Sequence, residues 1–186
     1  MGALSLQPYS IQQYFEIDEA AELRCEFING EIVAMAGSTV KHNEIAINIA
    51  FDLRSQLRLK GKPCKTFMSD VRLQVAAVNS YFYPDVMVVC EAANLTNNKG
   101  MENPTLLVEI LSESTQTTDL TTKLSAYLQI DSLKYYLIVS QTETLILCYQ
   151  KVENTWMLTI YDEPSQMIEL PLLELSLSVA GVYASE

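Results

Sequence analysis

Apolar residues follow two patterns along this chain, a four-residue spacing and short continuous runs, and each pattern predicts one kind of element. Between residues 40 and 60 the face of a helix is predicted by apolar residues four positions apart: Ile45, Ile49, Leu53 and Leu57. Gly61 follows where a helix C-terminal cap is expected. Upstream, Ser10 can cap a short first helix, and Asn29–Gly30 predicts a hairpin within RCEFINGEIVAMA.

Short continuous apolar runs predict the strands of a buried sheet. The first two, KTFMSDVRLQVA and YFYPDVMVVC, are separated by a turn at Asn79–Ser80, and PTLLVEILS follows a polar loop around residues 97–103. A second helix is predicted over residues 119–129. After it come a buried strand, a two-stranded extension and a tail: KYYLIVS, TLILCYQKV with TWMLTIYD, and QMIELPLLE.

No linker rich in Gly, Ser or Pro divides the chain, so we predict a single domain over residues 1–186. The element order predicts an α/β (α+β) fold. It has a mixed central sheet flanked by helices, with an added β-hairpin near each end.

Two predicted strands each carry a lone carboxylate, Asp85 and Glu109. A strand that is buried on both faces has no inexpensive place for a charge, so each carboxylate needs a partner. One interpretation is that each acid caps its strand or pairs with an arginine. The pair, 24 residues apart on consecutive strands, instead favours a divalent-ion site built from oxygen ligands.

Composition limits the function classes. With 12 basic and 23 acidic residues the net charge is −11, which argues against tight non-specific binding of nucleic acid without excluding a local basic face. The four cysteines are widely spaced and are expected to be reduced thiols of a cytoplasmic protein. The longest uncharged apolar stretches fall short of the ~18 residues of a membrane span, so no membrane contact is expected.

Other catalytic motifs are absent from the sequence. His42 is the only histidine, which disfavours hydrolase triads and a zinc site of histidine and thiolate ligands. The glycines form neither a P-loop nor a dinucleotide fingerprint. The aromatic residues of Tyr81–Tyr83 could stack on a base, but a core or a subunit interface is the more common role, and we expect an interface.

Several ordered segments resemble one nuclease group. They are RCEFINGEIV followed by His42, YPDVMVV, PTLLVEILSEST, and Asp119, Lys123 and Tyr127 ahead of LKYYLIVS. Together they resemble the PD-(D/E)XK nuclease superfamily with its restriction endonuclease-like core. More narrowly, nearly the whole chain is similar to the Uma family of restriction endonuclease-like proteins.

This resemblance implies a metal site for phosphodiester hydrolysis. Asp85 corresponds to the acid of the Pro-Asp pair and Glu109 to the second acid, with the main-chain carbonyl of Ile110 as a third ligand. The implied cofactor is Mg²⁺ or Mn²⁺, which would activate water and offset charge on the phosphate. The implied protein is an endonuclease that acts on DNA, as a homodimer.

One position departs from the superfamily pattern, because Leu111 stands where a strand lysine is expected. Lys123 on the following helix is the replacement that the Uma family implies. Its alternative role is a helix-surface ion pair with Asp119 at i, i+4. His42 is either a core-edge residue or an accessory site residue, and Glu26 either reaches the same pocket or lies on a strand surface.

A second class of function stays open at this point. Leu111 and the acidic balance favour a non-catalytic interaction or scaffold protein on a nuclease fold. The joint presence of Asp85, Glu109 and Lys123 favours the enzyme. Hydrolysis of a different phosphate ester cannot be separated from DNA cleavage by sequence.

Overall fold

The computed structural model describes residues 7–35, 37–90, 100–112 and 116–185. Helix α1 (Ile11–Ala20) begins with the predicted cap: the Ser10 side chain accepts from the Gln13 N–H, and the Gln13 side chain accepts from the Ser10 N–H. The predicted hairpin and long helix follow as β1 (Cys25–Ile28), β2 (Glu31–Ala34) and α2 (Val40–Leu59).

The later elements alternate between strands and short helices. The strands are β3 (Lys65–Met68), β4 (Leu73–Val75), β5 (Ser80–Phe82), β6 (Val86–Val89), β7 (Leu106–Leu111), β8 (Tyr135–Ser140), β9 (Ile146–Val152), β10 (Thr155–Tyr161), β11 (Met167–Leu170) and β12 (Leu175–Ser178). The helices are α3 (Gln116–Thr118), α4 (Leu124–Tyr127) and α5 (Val179–Val182), with a π-helical turn (Asp119–Lys123) between α3 and α4 and a 3₁₀ turn (Ala76–Val78) after β4.

A six-stranded sheet with the order β10-β9-β8-β7-β6-β3 forms the centre of the fold. Only β7 and β8 are parallel within it, so the sheet is mixed. Helix α2 and the β11–β12 hairpin pack on one face through a large apolar cluster. The helical segment 116–127 packs on the other face, around Tyr127 and Tyr136. The predicted mixed sheet between helices is confirmed.

Two predicted strands are each divided into two. KTFMSDVRLQVA forms β3 and β4, and YFYPDVMVVC forms β5 and β6. The first half of one and the second half of the other, β3 and β6, lie in the central sheet. The remaining strands β4 and β5 lie with the β1–β2 hairpin in a second, four-stranded sheet. Pro84 lacks the N–H that a continuous ladder would need, so the break lies next to Asp85.

The helix predicted over 119–129 lies at 116–127, and its π-helical turn is a feature that the sequence pattern does not predict. Near the C-terminus, β9 and β10 form the predicted extension. The predicted tail is a further hairpin, β11–β12, followed by α5. Residues 97–99 of the polar loop predicted around 97–103 lie outside the described residues.

Two predictions about side chains are wrong. Cys64 and Cys90 form a disulfide, while Cys25 and Cys148 are free and buried as predicted. The antiparallel register of β3 and β6 pairs Lys65 with Val89, which places the two flanking cysteines opposite each other.

The aromatic residues of Tyr81–Tyr83 do not form an exposed interface. All three are at most 4% exposed, and β5 is an inner strand of the second sheet, between β1 and β4. Among the described residues, no helix is both long and apolar enough to cross a membrane.

Candidate active site

The two predicted acids lie on neighbouring strands. β6 and β7 are antiparallel, and the pairing of Val86 with Val108 places Asp85 beside Glu109 in the next register position. The Asp85 carboxylate is fixed there, since its Oδ2 accepts a hydrogen bond of 2.7 Å from the Ile110 N–H. The strand order therefore brings both acids to one point of the sheet.

Glu109 is buried and shares its charge with two donors. Its Oε1 lies 3.2 Å from the Lys123 ammonium and accepts a 2.8 Å hydrogen bond from the Tyr127 hydroxyl. Burial raises the pKa of Glu109 well above its ordinary value; Lys123 opposes this rise, while the charge of Asp85 adds to it. Ionisation of the Glu109 carboxylate therefore costs free energy, and a second cation nearby would reduce this cost.

The Lys123 ammonium lies between three acids instead of on the helix surface. Its Nζ is 3.0 Å from Glu26, 3.2 Å from Glu109 and 3.3 Å from Asp119, and its side chain is 5% exposed. Burial disfavours the ammonium, but the three carboxylates outweigh burial and raise the pKa of Lys123. The i, i+4 pair with Asp119 thus exists together with the contact to Glu109.

His42 projects from the first turn of α2 onto Asp85. Its Nε2 lies 3.2 Å from Asp85 Oδ2. Burial lowers the pKa of His42, but the hydrogen bond and charge of Asp85, helped by a contact with the Ile110 backbone, outweigh burial and raise it. His42 is therefore a direct partner of Asp85 and not only a core-edge residue.

Glu26 joins the hairpin to the same cluster. Its Oε1 accepts a 3.1 Å hydrogen bond from the Tyr83 N–H in addition to the ion pair with Lys123. The Tyr83 hydroxyl in turn donates to Asp18 of α1 at 2.6 Å. These contacts connect the second sheet and α1 to the acids of the central sheet.

These side chains surround a cavity of about 350 Å³. It is lined by all the residues predicted for the site: Glu26, His42, Asp85, Glu109, Ile110 and Lys123. Arg24 and Asp70, which are 3.8 Å apart, lie on the same lining and are largely exposed. The structure thus brings together every predicted site residue, while the role of each in catalysis stays a prediction.

Two residues near the acids were given no site role in the sequence prediction. Tyr127 donates to Glu109, and Asp119 lies 3.3 Å from the Lys123 ammonium. The signal for both was their spacing of four from Lys123, which places residues 119, 123 and 127 on one side of a helix. The π-helical turn that carries Asp119 and Lys123 is a rare conformation found frequently at functional sites.

The fold and this pocket define a restriction endonuclease-like protein, and comparison with known proteins supports that class. The Uma2 family, described as "Putative restriction endonuclease", matches residues 11–180, so the chain belongs to the Uma2 family. Its family membership supports a nuclease-like function.

Two relatives are proteins of Synechocystis sp. One, "Uncharacterized protein sll1609", is 38% identical over 150 residues, which is 79% of this chain and 84% of the relative. The other, "Uncharacterized protein slr1290", is 30% identical over 175 residues, or 94% of this chain and 90% of the relative. A crystal structure described as a putative nuclease belonging to DUF820 from Anabaena variabilis has a similar fold. Its TM-score is 0.78 at 18% identity, and the match covers 95% of this chain and 98% of that one.

Proposed function

We propose that this protein is a metal-dependent endonuclease that hydrolyses phosphodiester bonds of DNA. The observation that supports this proposal is the convergence of Asp85, Glu109 and Lys123 on one cavity. Each buried charge costs desolvation free energy. A cluster of buried charges is therefore not expected in a protein that has the fold but no functional site.

The chemistry of the donors fits Mg²⁺ or Mn²⁺. Within the described part of the chain, the hydrogen bonds and ion pairs engage one oxygen of each acid, Asp85 Oδ2 and Glu109 Oε1. The second oxygens and the Ile110 carbonyl would complete a ligand set of hard oxygens. No three His, Cys, Asp or Glu side chains in the described ranges are arranged as a metal site, and the proposed set needs only two carboxylates.

The charge balance also fits a divalent cation. Four buried acids surround the cavity: Glu26, Asp85, Glu109 and Asp119. Among the described residues, Lys123 and, when protonated, His42 lie within ion-pair distance of these acids. An excess of negative charge in a poorly solvated cavity favours binding of a cation.

A bound ion would supply an activated water and would offset charge on the phosphate. The side chains have separate tasks around it. The Ile110 N–H and His42 orient Asp85, while Tyr127 orients Glu109. Glu26 and Asp119 hold the Lys123 ammonium in place, where it can stabilise negative charge that develops on the phosphate.

DNA cleavage by the purified protein tests the proposal. Plasmid, single-stranded and branched DNA should be cut when Mg²⁺ or Mn²⁺ is present. Glu109→Gln keeps the shape of the side chain but removes the charge that would hold the ion, so cleavage should be abolished while the fold stays intact.

The matched control is Glu174→Gln. Glu174 is an exposed acid whose partner is Lys62, just after the C-terminal end of α2, and its substitution should leave cleavage unchanged. Wild-type protein that is inert on all three DNA forms with both metals would contradict the proposal. That outcome would favour the non-catalytic scaffold.

A further inference from the structure

Strand β10 is the last strand at one edge of the central sheet. It pairs with β9 on one side, and on the other side no strand follows it among the described residues. Its seven residues, TWMLTIY, contain no charge, proline or glycine. The opposite edge, β3, has only four residues and begins with Lys65.

The open edge is apolar as well as unpaired. Met157, Leu158 and Ile160 are 53%, 47% and 53% exposed. Natural proteins usually protect an edge strand with a charge, a proline, a bulge or a short length, because an exposed apolar edge recruits other strands. β10 has none of these protections, so a strand from another chain is expected to cover it.

The register shows which backbone groups point outward. Because the Lys151 N–H donates to the Lys134 carbonyl, the backbone groups of the odd-numbered residues of β9 point toward β8. The even-numbered residues of β9 therefore form the hydrogen bonds with β10. Residues 155, 157, 159 and 161 of β10 are the ones that bond β9. The N–H and C=O groups of Trp156, Leu158 and Ile160 therefore point away from the sheet.

We infer that a second copy of this chain occupies this edge, with two β10 strands paired antiparallel about Leu158. In this register Leu158 lies opposite Leu158 of the partner subunit, and Trp156 lies opposite Ile160 of the partner subunit. All three outward-facing residues then find a hydrogen-bonding partner, which no other antiparallel register achieves.

The side chains are self-complementary in the same register. Trp156, Leu158 and Ile160 lie on one face of the sheet, so they form three apolar cross-strand pairs with the second copy, the kind of pair that stabilises sheets. The acids Glu153, Asp162 and Glu163 flank the strand and limit the apolar segment to its seven residues. A two-fold axis through Leu158 limits the assembly to two copies, because the β10 edge of each copy is then covered by the other.

Solution mass tests this pairing independently of any enzyme activity. Wild-type protein at micromolar concentration should have twice the chain mass of 20.9 kDa. Leu158→Lys places two ammonium groups opposite each other at the axis and should weaken association by at least about 10-fold. Leu172→Lys, a substitution at an exposed leucine between β11 and β12, should remain dimeric.

A crosslink identifies the interface itself. Residues in a hydrogen-bonded antiparallel pair have Cα atoms about 5.5 Å apart, which is within disulfide range. Leu158→Cys should therefore form a covalent dimer under mild oxidation. Met157→Cys should crosslink far less, because it faces Thr159 of the partner subunit.

Three results would overturn the inference. They are a monomeric wild type at about 100 µM, where weak dimers still form; a Leu158→Lys variant that stays dimeric; and equal crosslinking of the two cysteine variants. A monomeric wild type would mean that the edge serves a different chain or none. Unchanged thermal unfolding of Leu158→Lys would show that its loss of association is not a loss of fold.

Discussion

At the scale of single residues, the site depends on how three acids share one ammonium. Glu26, Glu109 and Asp119 each lie within 3.3 Å of Lys123 Nζ. The ammonium is stabilised by all three carboxylates, and the three carboxylates share its positive charge. Burial raises the pKa of Glu109, and Lys123 opposes this rise only in part, whereas the three carboxylates outweigh burial and raise the pKa of Lys123.

Lys123→Met removes the ammonium and keeps most of the side-chain volume. Cleavage should fall by about 10² to 10³-fold if the ammonium stabilises charge on the phosphate. The substitution should also lower the free energy of unfolding by about 3 to 5 kcal/mol, because buried acids lose their counter-ion. Circular dichroism at the assay temperature therefore has to confirm the fold before the rates are compared.

Lys60→Met is the matched control, since Lys60 is an exposed lysine at the end of α2. Its cleavage rate should equal that of the wild type. If Lys123→Met also cleaves DNA at nearly the wild-type rate while folded, Lys123 has only a structural role.

At the scale of elements, the β1–β2 hairpin positions Glu26 against the central sheet. Its turn depends on Gly30, which has φ of +99°, and a Cβ there would lie 2.6 Å from the Cβ of Pro8. Any other residue at position 30 is therefore disfavoured, both by the backbone conformation and by the lack of space for a side chain.

Gly30→Ala should lower the free energy of unfolding by about 1 to 3 kcal/mol, because it adds left-handed strain and a steric overlap. Urea denaturation measures this change. Gly37→Ala is the control, since its Cβ would meet nothing within 4 Å, and its effect should be within about 0.5 kcal/mol. Equal stability of the two variants would mean that the hairpin turn adapts without cost.

At the scale of the whole molecule, sequence patterns predicted the features that depend on local order. The spacing of Ile45, Ile49 and Leu53 predicted α2, and Asn29–Gly30 predicted the hairpin, because both signals act over a few residues. Family resemblance predicted the candidate site residues, and the strand register explains how Asp85 and Glu109 come together.

The features that were mispredicted depend on contacts between distant segments. The disulfide follows from the pairing of β3 with β6, which the spacing of Cys64 and Cys90 does not reveal. Residues 81–83 were predicted to form an interface, but β5 is an inner strand of the second sheet, between β1 and β4, and these residues are buried in the core. Because two thiols are paired, reduced cysteines no longer support a cytoplasmic location, which stays a prediction along with the single domain.

We propose that this pocket holds a divalent ion, and calorimetric titration with Mn²⁺ or Mg²⁺ tests this proposal without reference to any substrate. Wild-type protein should bind about one ion per chain, the occupancy expected for a single set of two carboxylates and one carbonyl. Asp85→Asn should weaken binding by at least about 10-fold. Asp131→Asn, at a fully exposed acid, should not change it. Wild-type protein that takes up no ion, or equal affinity in the wild type and Asp85→Asn, would contradict the account.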